Sequence, residues 1–114
     1  MLRQSYVYLM TNRRNGAFYC GVTSDIIRRC QQHRSGETGG FVTRYGLRHL
    51  AWYEMHDDIR TAIAREKTIK RWPRAYKFNV IEALNPDWRD LYFSLIGNEI
   101  DECPPIPDPG TRPG

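Results

Sequence analysis

The chain has 114 residues, which suffices for one ordinary domain and is too few for two. Hydrophobic residues make up 40% of it, and no stretch approaches the roughly 18 consecutive apolar residues of a membrane helix, so we expect a soluble protein without membrane contact. The net charge of +4 is unevenly distributed, which suggests a polyanionic partner, most often nucleic acid; an Arg-rich surface that contacts only water is the alternative, and charge alone does not choose between them.

The basic charge is concentrated in the first two thirds of the chain. Residues 1–50 carry eight Arg and two acids, a net of +6, and residues 51–80 carry seven Lys/Arg and four acids, a net of +3. Residues 81–114 carry two Arg and seven acids, a net of −5. The sequence therefore predicts a basic body that ends in an acidic segment.

The three cysteines, Cys20, Cys30 and Cys103, are odd in number, and their spacing matches no zinc-binding pattern. We expect small buried thiols in a reducing, cytoplasmic compartment. The first ten residues, MLRQSYVYLM, lack the long apolar region and the small-residue cleavage site of a secretory signal.

A β-hairpin is predicted near the start of the chain. Residues 6–10 are rich in β-formers, the Asn-Gly pair at 15–16 is a strong hairpin signal, and residues 17–23 form the return strand. The alternation of side chains along a strand places Tyr8 on the same face as Tyr6, and Tyr19 on the same face as Gly21.

Helices and one further strand follow the hairpin. A Gly-, Thr- and Arg-rich connection over residues 35–48 separates the first helix from a third strand over residues 49–55. Caps and periodicity predict three helices over about 24–34, 58–71 and 73–84, and a short last helix over 88–96. The order β-β-α-β-α-α predicts an α/β domain over residues 1–96. The Pro-rich, acidic residues 97–114 are expected to be a disordered tail.

Glu66 lies at an unusual position on the second long helix. A helical wheel places it in the middle of an apolar stripe that contains Ala62 and Ile69. A buried carboxylate is costly unless it is paired or bound to a metal ion. From the wheel alone, a salt bridge to Lys70, four residues further on, is the commoner outcome and a functional carboxylate is the alternative.

The first helix shows a related but weaker pattern. Arg29 and His33, four residues apart, lie next to the stripe formed by Ile26 and Cys30, whereas Arg28 points towards solvent. Taken singly, Arg29 is more simply a surface cation, and His33 a residue that interacts with the helix dipole. The tyrosines are likewise compatible with ordinary strand packing.

Taken together, these side chains are those that phosphodiester hydrolysis requires. A metal ion on a carboxylate stabilises phosphate oxygens, an arginine neutralises developing charge, and a phenol or imidazole accepts a proton from water.

The sequence resembles the GIY-YIG endonuclease superfamily, in its small stand-alone bacterial branch. The match covers about residues 5–92 in five ordered blocks: YVY at 6–8, YCG at 19–21, the Gly-x-Thr…Arg-x-x-x-His run at 21–33, the metal-binding helix at 64–72 and NPDW at 85–88. The departures are Tyr6 in place of the first Gly and Cys20 in place of the middle Ile of the second tripeptide, and neither removes a catalytic group.

The resemblance implies a role for each matched residue. Tyr8 and Tyr19 would flank the attacking water, Arg29 would hold the scissile phosphate, His33 would support a tyrosine, and Glu66 would bind a single divalent metal ion. Mg²⁺ or Mn²⁺ suits a lone carboxylate whose bound metal keeps several waters. The wheel independently selects Glu66 and Arg29. The residues expected to contact substrate are Arg28, Arg44, Lys70 and Asn85.

We therefore predict an α/β domain with a three-stranded antiparallel sheet that acts as a metal-dependent endonuclease on DNA, in repair or in processing of structured DNA. RNA is an alternative substrate, and a protein partner is one source of specificity. The alternative function is a non-catalytic nucleic-acid-binding module that keeps the fold. The complete set of five site residues favours the enzyme. A third class is a protein-interaction subunit that uses residues 97–114.

Overall fold

A three-stranded antiparallel sheet forms the centre of the domain, as the sequence predicts. The computed structural model describes residues 4–37 and 40–107. Its strands are β1 (Ser5–Thr11), β2 (Phe18–Thr23) and β3 (His49–His56), in the spatial order β2-β1-β3. Asn15 has a φ of 61° in the β1–β2 turn, in agreement with the Asn-Gly hairpin signal. In the order β2-β1-β3, β1 is the central strand and β2 is an edge strand.

The helices surround this sheet. They are α1 (Ile26–Ser35), α2 (Gly40–Tyr45), α3 (Ile59–Arg71), α4 (Arg74–Leu84) and α5 (Tyr92–Leu95), followed by a 3₁₀ turn, Ile100–Glu102. Asp25 caps α1 by accepting from the Arg28 backbone N–H, and Asp58 caps α3 by accepting from that of Thr61. None of the described helices is long and apolar enough to cross a membrane.

Two hydrophobic cores lie on opposite faces of the sheet. The first core joins one face to α3 and α4, and its buried members include Val7, Leu9, Cys20, Trp52, Ala62, Ile69 and Ile81. The second core joins the other face to α1, and its buried members include Tyr8, Met10, Ile26, Cys30, Leu50 and Leu91. Each fully buried Leu or Ile contributes about 1.5–3 kcal/mol to stability. Successive side chains of a strand point to opposite faces of the sheet, so the neighbours Val7 and Tyr8 of β1 pack in different cores.

Two predicted segments differ from the structure. The connection over residues 35–48 contains a short helix, α2, and the last helix covers only Tyr92–Leu95 instead of residues 88–96. Trp88 has a φ of 51°, and the carboxylate of Asp90 accepts from the backbone N–H of Tyr92. A side chain that binds nearby backbone in this way offers the chain an alternative to helix, so the helix begins only after Asp90.

Residues 98–107 pack against the domain. Cys103 and Ile106 are buried, and the Arg14 N–H donates to the carbonyl of Pro107 at 2.7 Å. Arg89 and Pro105 form an isolated antiparallel bridge. In contrast to the expected disorder, this part of the segment is ordered, because Ile106 packs in the first core and Cys103 is buried. Residues 108–114 lie outside the described residues.

Candidate active site

Tyr8, Tyr19 and His33 converge on the α1 side of the sheet. Tyr8 comes from the central strand β1, Tyr19 from the edge strand β2, and His33 from the last turn of α1. The ring centroids lie 6.2 Å apart for the two tyrosines, 5.7 Å for Tyr8 and His33, and 5.5 Å for Tyr19 and His33. The Tyr8 Oη atom lies 3.2 Å from His33 Nε2, within hydrogen-bond distance.

Gly21 makes this convergence possible. It lies opposite Tyr8 in the β1–β2 register. A Cβ at this position would lie 2.5 Å from Tyr8 Oη and 2.9 Å from Tyr19 Cε1, closer than packed carbon atoms allow. The glycine therefore leaves the space in which the two phenol rings approach each other.

Both members of the Tyr8–His33 hydrogen bond are neutral at pH 7. Burial raises the pKa of Tyr8, the neighbouring Tyr19 raises it further, and Arg29 offsets only part of this. Burial, together with the nearby charge of Arg29, lowers the pKa of His33 to about 4. His33 Nδ1 is buried and has no hydrogen-bond partner among the described residues. The cluster thus holds an uncharged phenol against an uncharged imidazole.

Arg29 supplies the positive charge beside this cluster. It is half-buried on α1 and close enough to affect the pKa of both Tyr8 and His33. Within residues 4–37 and 40–107, its guanidinium has no ion pair and no hydrogen bond. Arg28, by contrast, is exposed, as the wheel predicts. Arg29 is therefore free to bind an anion next to the phenols.

Glu66 approaches the same region from the opposite face of the sheet. Its helix, α3, packs on the first core, and its carboxylate is near enough to Cys20 to help burial raise the pKa of that thiol to about 11. Cys20 lies between Tyr19 and Gly21 on the edge strand β2. The carboxylate and the phenols thus lie on different faces of the sheet, near the same strand.

The ion pair that the wheel offered as the commoner interpretation of Glu66 is present. Glu66 Oε2 lies 3.5 Å from Lys70 Nζ, and the two side chains are 18% and 53% exposed. A pair with one partner this exposed contributes little to stability, about 0–1 kcal/mol. Lys70, which the sequence predicts to contact substrate, is thus the ion-pair partner of the predicted metal ligand.

The residues present fit a metal ion held by one carboxylate. The part of the chain that the structure describes contains no group of three or more His, Cys, Asp or Glu placed to hold a metal. Glu66 is partly exposed, so it can reach a hydrated ion. Mg²⁺, which keeps most of its water and takes one or two carboxylates, fits this donor set. Lys70 would compete with the ion for the same oxygens.

Arg44 and Asn85, two other predicted substrate contacts, each contact other residues of the protein. Arg44 is exposed on α2, and its guanidinium lies 5.6 Å from the ring centroid of Tyr45. Asn85 is 1% exposed, and its amide donates to the carbonyls of Ala51 and Arg89 and accepts from the Arg89 N–H. Both amide hydrogens are thereby used within the protein, so Asn85 fixes the chain to β3.

Asp90 is a residue that the sequence did not single out. Its carboxylate, 1% exposed, accepts from Arg34 and His49, both at 2.9 Å, and from the Leu50 N–H at 3.1 Å. Burial alone would raise the pKa of Asp90, but these hydrogen bonds outweigh it and hold the pKa below its usual value. Asp90 thereby joins α1, which carries Arg29 and His33, to β3. A lone acid outside any periodic pattern gave no signal of this role.

Comparison with known proteins places the chain in a family. The model of the GIY-YIG catalytic domain matches residues 4–79, which contain the five predicted catalytic residues but not Asn85. A UPF0213 protein of Vibrio parahaemolyticus is 40% identical over 76 residues, 67% of this chain and 71% of that protein. A UPF0213 protein of Xanthomonas axonopodis pv. citri is 37% identical over 84 residues, 72% of this chain and 79% of that protein. The solution NMR structure of a UPF0213 protein from Bacillus halodurans aligns with a TM-score of 0.45 and 25% identity, over 71% of this chain and 85% of that one. The chain belongs to the GIY-YIG nuclease family.

Proposed function

We propose that this protein is a divalent-metal-dependent endonuclease that hydrolyses phosphodiester bonds in DNA, with structured or damaged DNA as its substrate. The observation that carries the proposal is the convergence of two phenols and a neutral imidazole beside an arginine without an ion-pair partner among the described residues. The domain around them is basic, which suits a polyanionic substrate.

The protonation states suggest how water is activated. A phenol with a raised pKa stays protonated, so Tyr8 can act only by passing on its own proton as it accepts one from water. The attacking water gives a proton to Tyr8 Oη while the Tyr8 proton moves to His33 Nε2, 3.2 Å away. Arg29 holds a non-bridging phosphate oxygen and stabilises the charge that grows on it.

Glu66 would hold the metal ion in this mechanism. When bound, Mg²⁺ or Mn²⁺ supplies positive charge that polarises the phosphate. The protein's own contribution is to hold the Glu66 carboxylate beside β2 and to let the exposed Lys70 side chain turn away. The Glu66–Lys70 ion pair is also the observation that favours the second candidate, a nucleic-acid-binding module without catalysis, because a permanently paired carboxylate would bind no metal.

A cleavage panel with two single variants tests the proposal. Branched, nicked, duplex and single-stranded DNA, with RNA alongside, are incubated with and without Mg²⁺. We expect Glu66→Gln to abolish cutting with little change in stability, since Gln keeps the size of the side chain and Lys70, the partner in the ion pair it removes, is 53% exposed. Tyr8→Phe keeps the ring and is expected to slow cutting roughly a hundredfold or more, within the usual range for loss of a proton-transfer group.

Binding measured in Ca²⁺, which occupies such sites but is expected to support little cutting, is the control, and both variants should bind DNA as the parent does. Parental binding without any cutting would establish the binding module instead. If Glu66→Gln unfolds and cutting follows only the folded fraction, Glu66 is a structural residue.

A further inference from the structure

We propose that a groove at the junction of α3 and α4 binds an unpaired nucleobase of the strand that the active site cuts. The proposal rests on the proposed function and adds a preference for substrate with a single-stranded segment. Four residues line the groove, Trp72, Tyr76, Asn79 and Val80, and its volume is about 380 Å³. This volume lies within the range of small-molecule sites.

Aromatic rings form one wall of this groove. Tyr76 is 57% exposed, and its ring meets that of Trp72 edge-to-face, with the ring centroids 6.3 Å apart. The guanidinium of Arg65 lies 5.1 Å from the centroid of the Trp72 ring and helps to fix it. Asn79 is exposed at the same groove, and its amide offers a donor and an acceptor to the edge of a base.

The charge around the groove complements a nucleic-acid strand. Residues 65–77 contain six Lys or Arg and one Glu, a net of +5. Lys67 and Arg71 are exposed and have no ion pair within the described residues. Another groove of similar size, by contrast, has three carboxylates and one arginine in its lining, which a polyanion would avoid: Asp87, Glu99, Asp101 and Arg89.

The groove is connected to the Glu66 side of the site. Lys70, which pairs with Glu66, and Arg71 form the last turn of α3 immediately before Trp72. Arg74, at the start of α4, donates to the carbonyls of Asn15 and Gly16 in the β1–β2 hairpin. Lys70, the ion-pair partner of Glu66, therefore lies two residues before Trp72, the first residue that lines the groove.

Stacking on Tyr76 selects for a base that is not already stacked. In a duplex both faces of each base are covered by its neighbours, whereas an unpaired base exposes a face to an aromatic ring. The nearby cations contact phosphates, which all nucleic acids share, so the ring and not the charge supplies the preference.

Affinity measurements in Ca²⁺ test the proposal without cutting. A labelled oligodeoxynucleotide is presented single-stranded and as a blunt duplex of the same sequence. We expect Tyr76→Ala to weaken binding of the single strand about tenfold and to change duplex binding by less than about twofold. Tyr76→Phe, which keeps the ring, should bind as the parent does. Leu84→Ala, which trims another exposed apolar side chain on the same helix, is the matched control.

Tryptophan fluorescence gives a second readout. Trp52 and Trp88 are 3% and 1% exposed, so quenching by bound single strand reports mainly on Trp72. If Tyr76→Ala binds the single strand as the parent does, or weakens both forms equally, the groove assignment is overturned while the proposed function stands. If the parent binds neither form, both the groove assignment and the proposed function are overturned.

Discussion

The imidazole of His33 is kept neutral by burial and by Arg29, and its pKa of about 4 lies below the ordinary value of 6.5. Between these values the unfolded chain takes up a proton that the folded chain does not. The contribution of His33 to stability is therefore complete above pH 6.5. It is lost progressively as the pH falls towards 4.

Urea unfolding at a series of pH values between 4 and 7.5 measures this loss. In the parent the free energy of unfolding should fall as the pH falls below 6.5, and in His33→Gln the fall should be shallower. Other groups, such as Asp90, titrate in both proteins and affect both curves equally. The difference between the two unfolding free energies at each pH therefore gives the contribution of His33 alone. Parallel curves would show that His33 titrates normally in the folded protein.

The residues of the site differ in how far the sequence could predict them. Strand alternation and motif spacing fix which face Tyr8 and Tyr19 occupy, and the structure confirms that they meet His33. Helical periodicity places Glu66 on the inward face of its helix, but it cannot tell whether the carboxylate binds a metal ion or pairs with Lys70. The role of Asn85 depends on the carbonyl of Ala51, 34 residues away, which no local pattern encodes.

Helix α1 presents two adjacent arginines in different environments. Arg29 is half-buried beside Tyr8 and His33, whereas Arg28 is exposed. We expect Arg29→Ala to lower the single-turnover cleavage rate by roughly two or more orders of magnitude, because in the proposed mechanism Arg29 contacts charge that grows in the transition state. Arg28→Ala should weaken the affinity for DNA modestly, and this affinity should then depend less steeply on the salt concentration. Equal losses of turnover would contradict this assignment.

The elements that the sequence predicted well are those with a local signal. Asn15-Gly16 marks the hairpin, and Asp58 and Pro73 mark the starts of α3 and α4. Helix α2 has only six residues, too few to show a helical periodicity, so the sequence predicted only a loop over residues 35–48. The shortened last helix follows from Asp90, whose partners on α1 and β3 are distant in the sequence.

At the scale of the whole molecule, the segment over residues 98–107 completes the fold. Ile106 enters the first core, and Arg89 donates to the carbonyl of Cys103 at 2.8 Å. A chain ending at residue 96 should therefore lose about 1.5–3 kcal/mol from Ile106 alone. Chemical denaturation compares it with a chain ending at residue 107, which should keep the parental stability. Equal stability of the two truncated chains would show that the segment only rests on the surface.

Two separate cores support the two halves of the site. The phenols and His33 rest on the core beneath α1, and Glu66 rests on the core beneath α3 and α4. Substitutions in separated, non-contacting positions usually act independently, so a change that repacks one core displaces only one half. During evolution, substitutions in the core beneath α3 and α4 can thus accumulate without moving Tyr8 and Tyr19, which pack on the other core. A second substitution that restores the packing after a destabilising one is then expected in the same core.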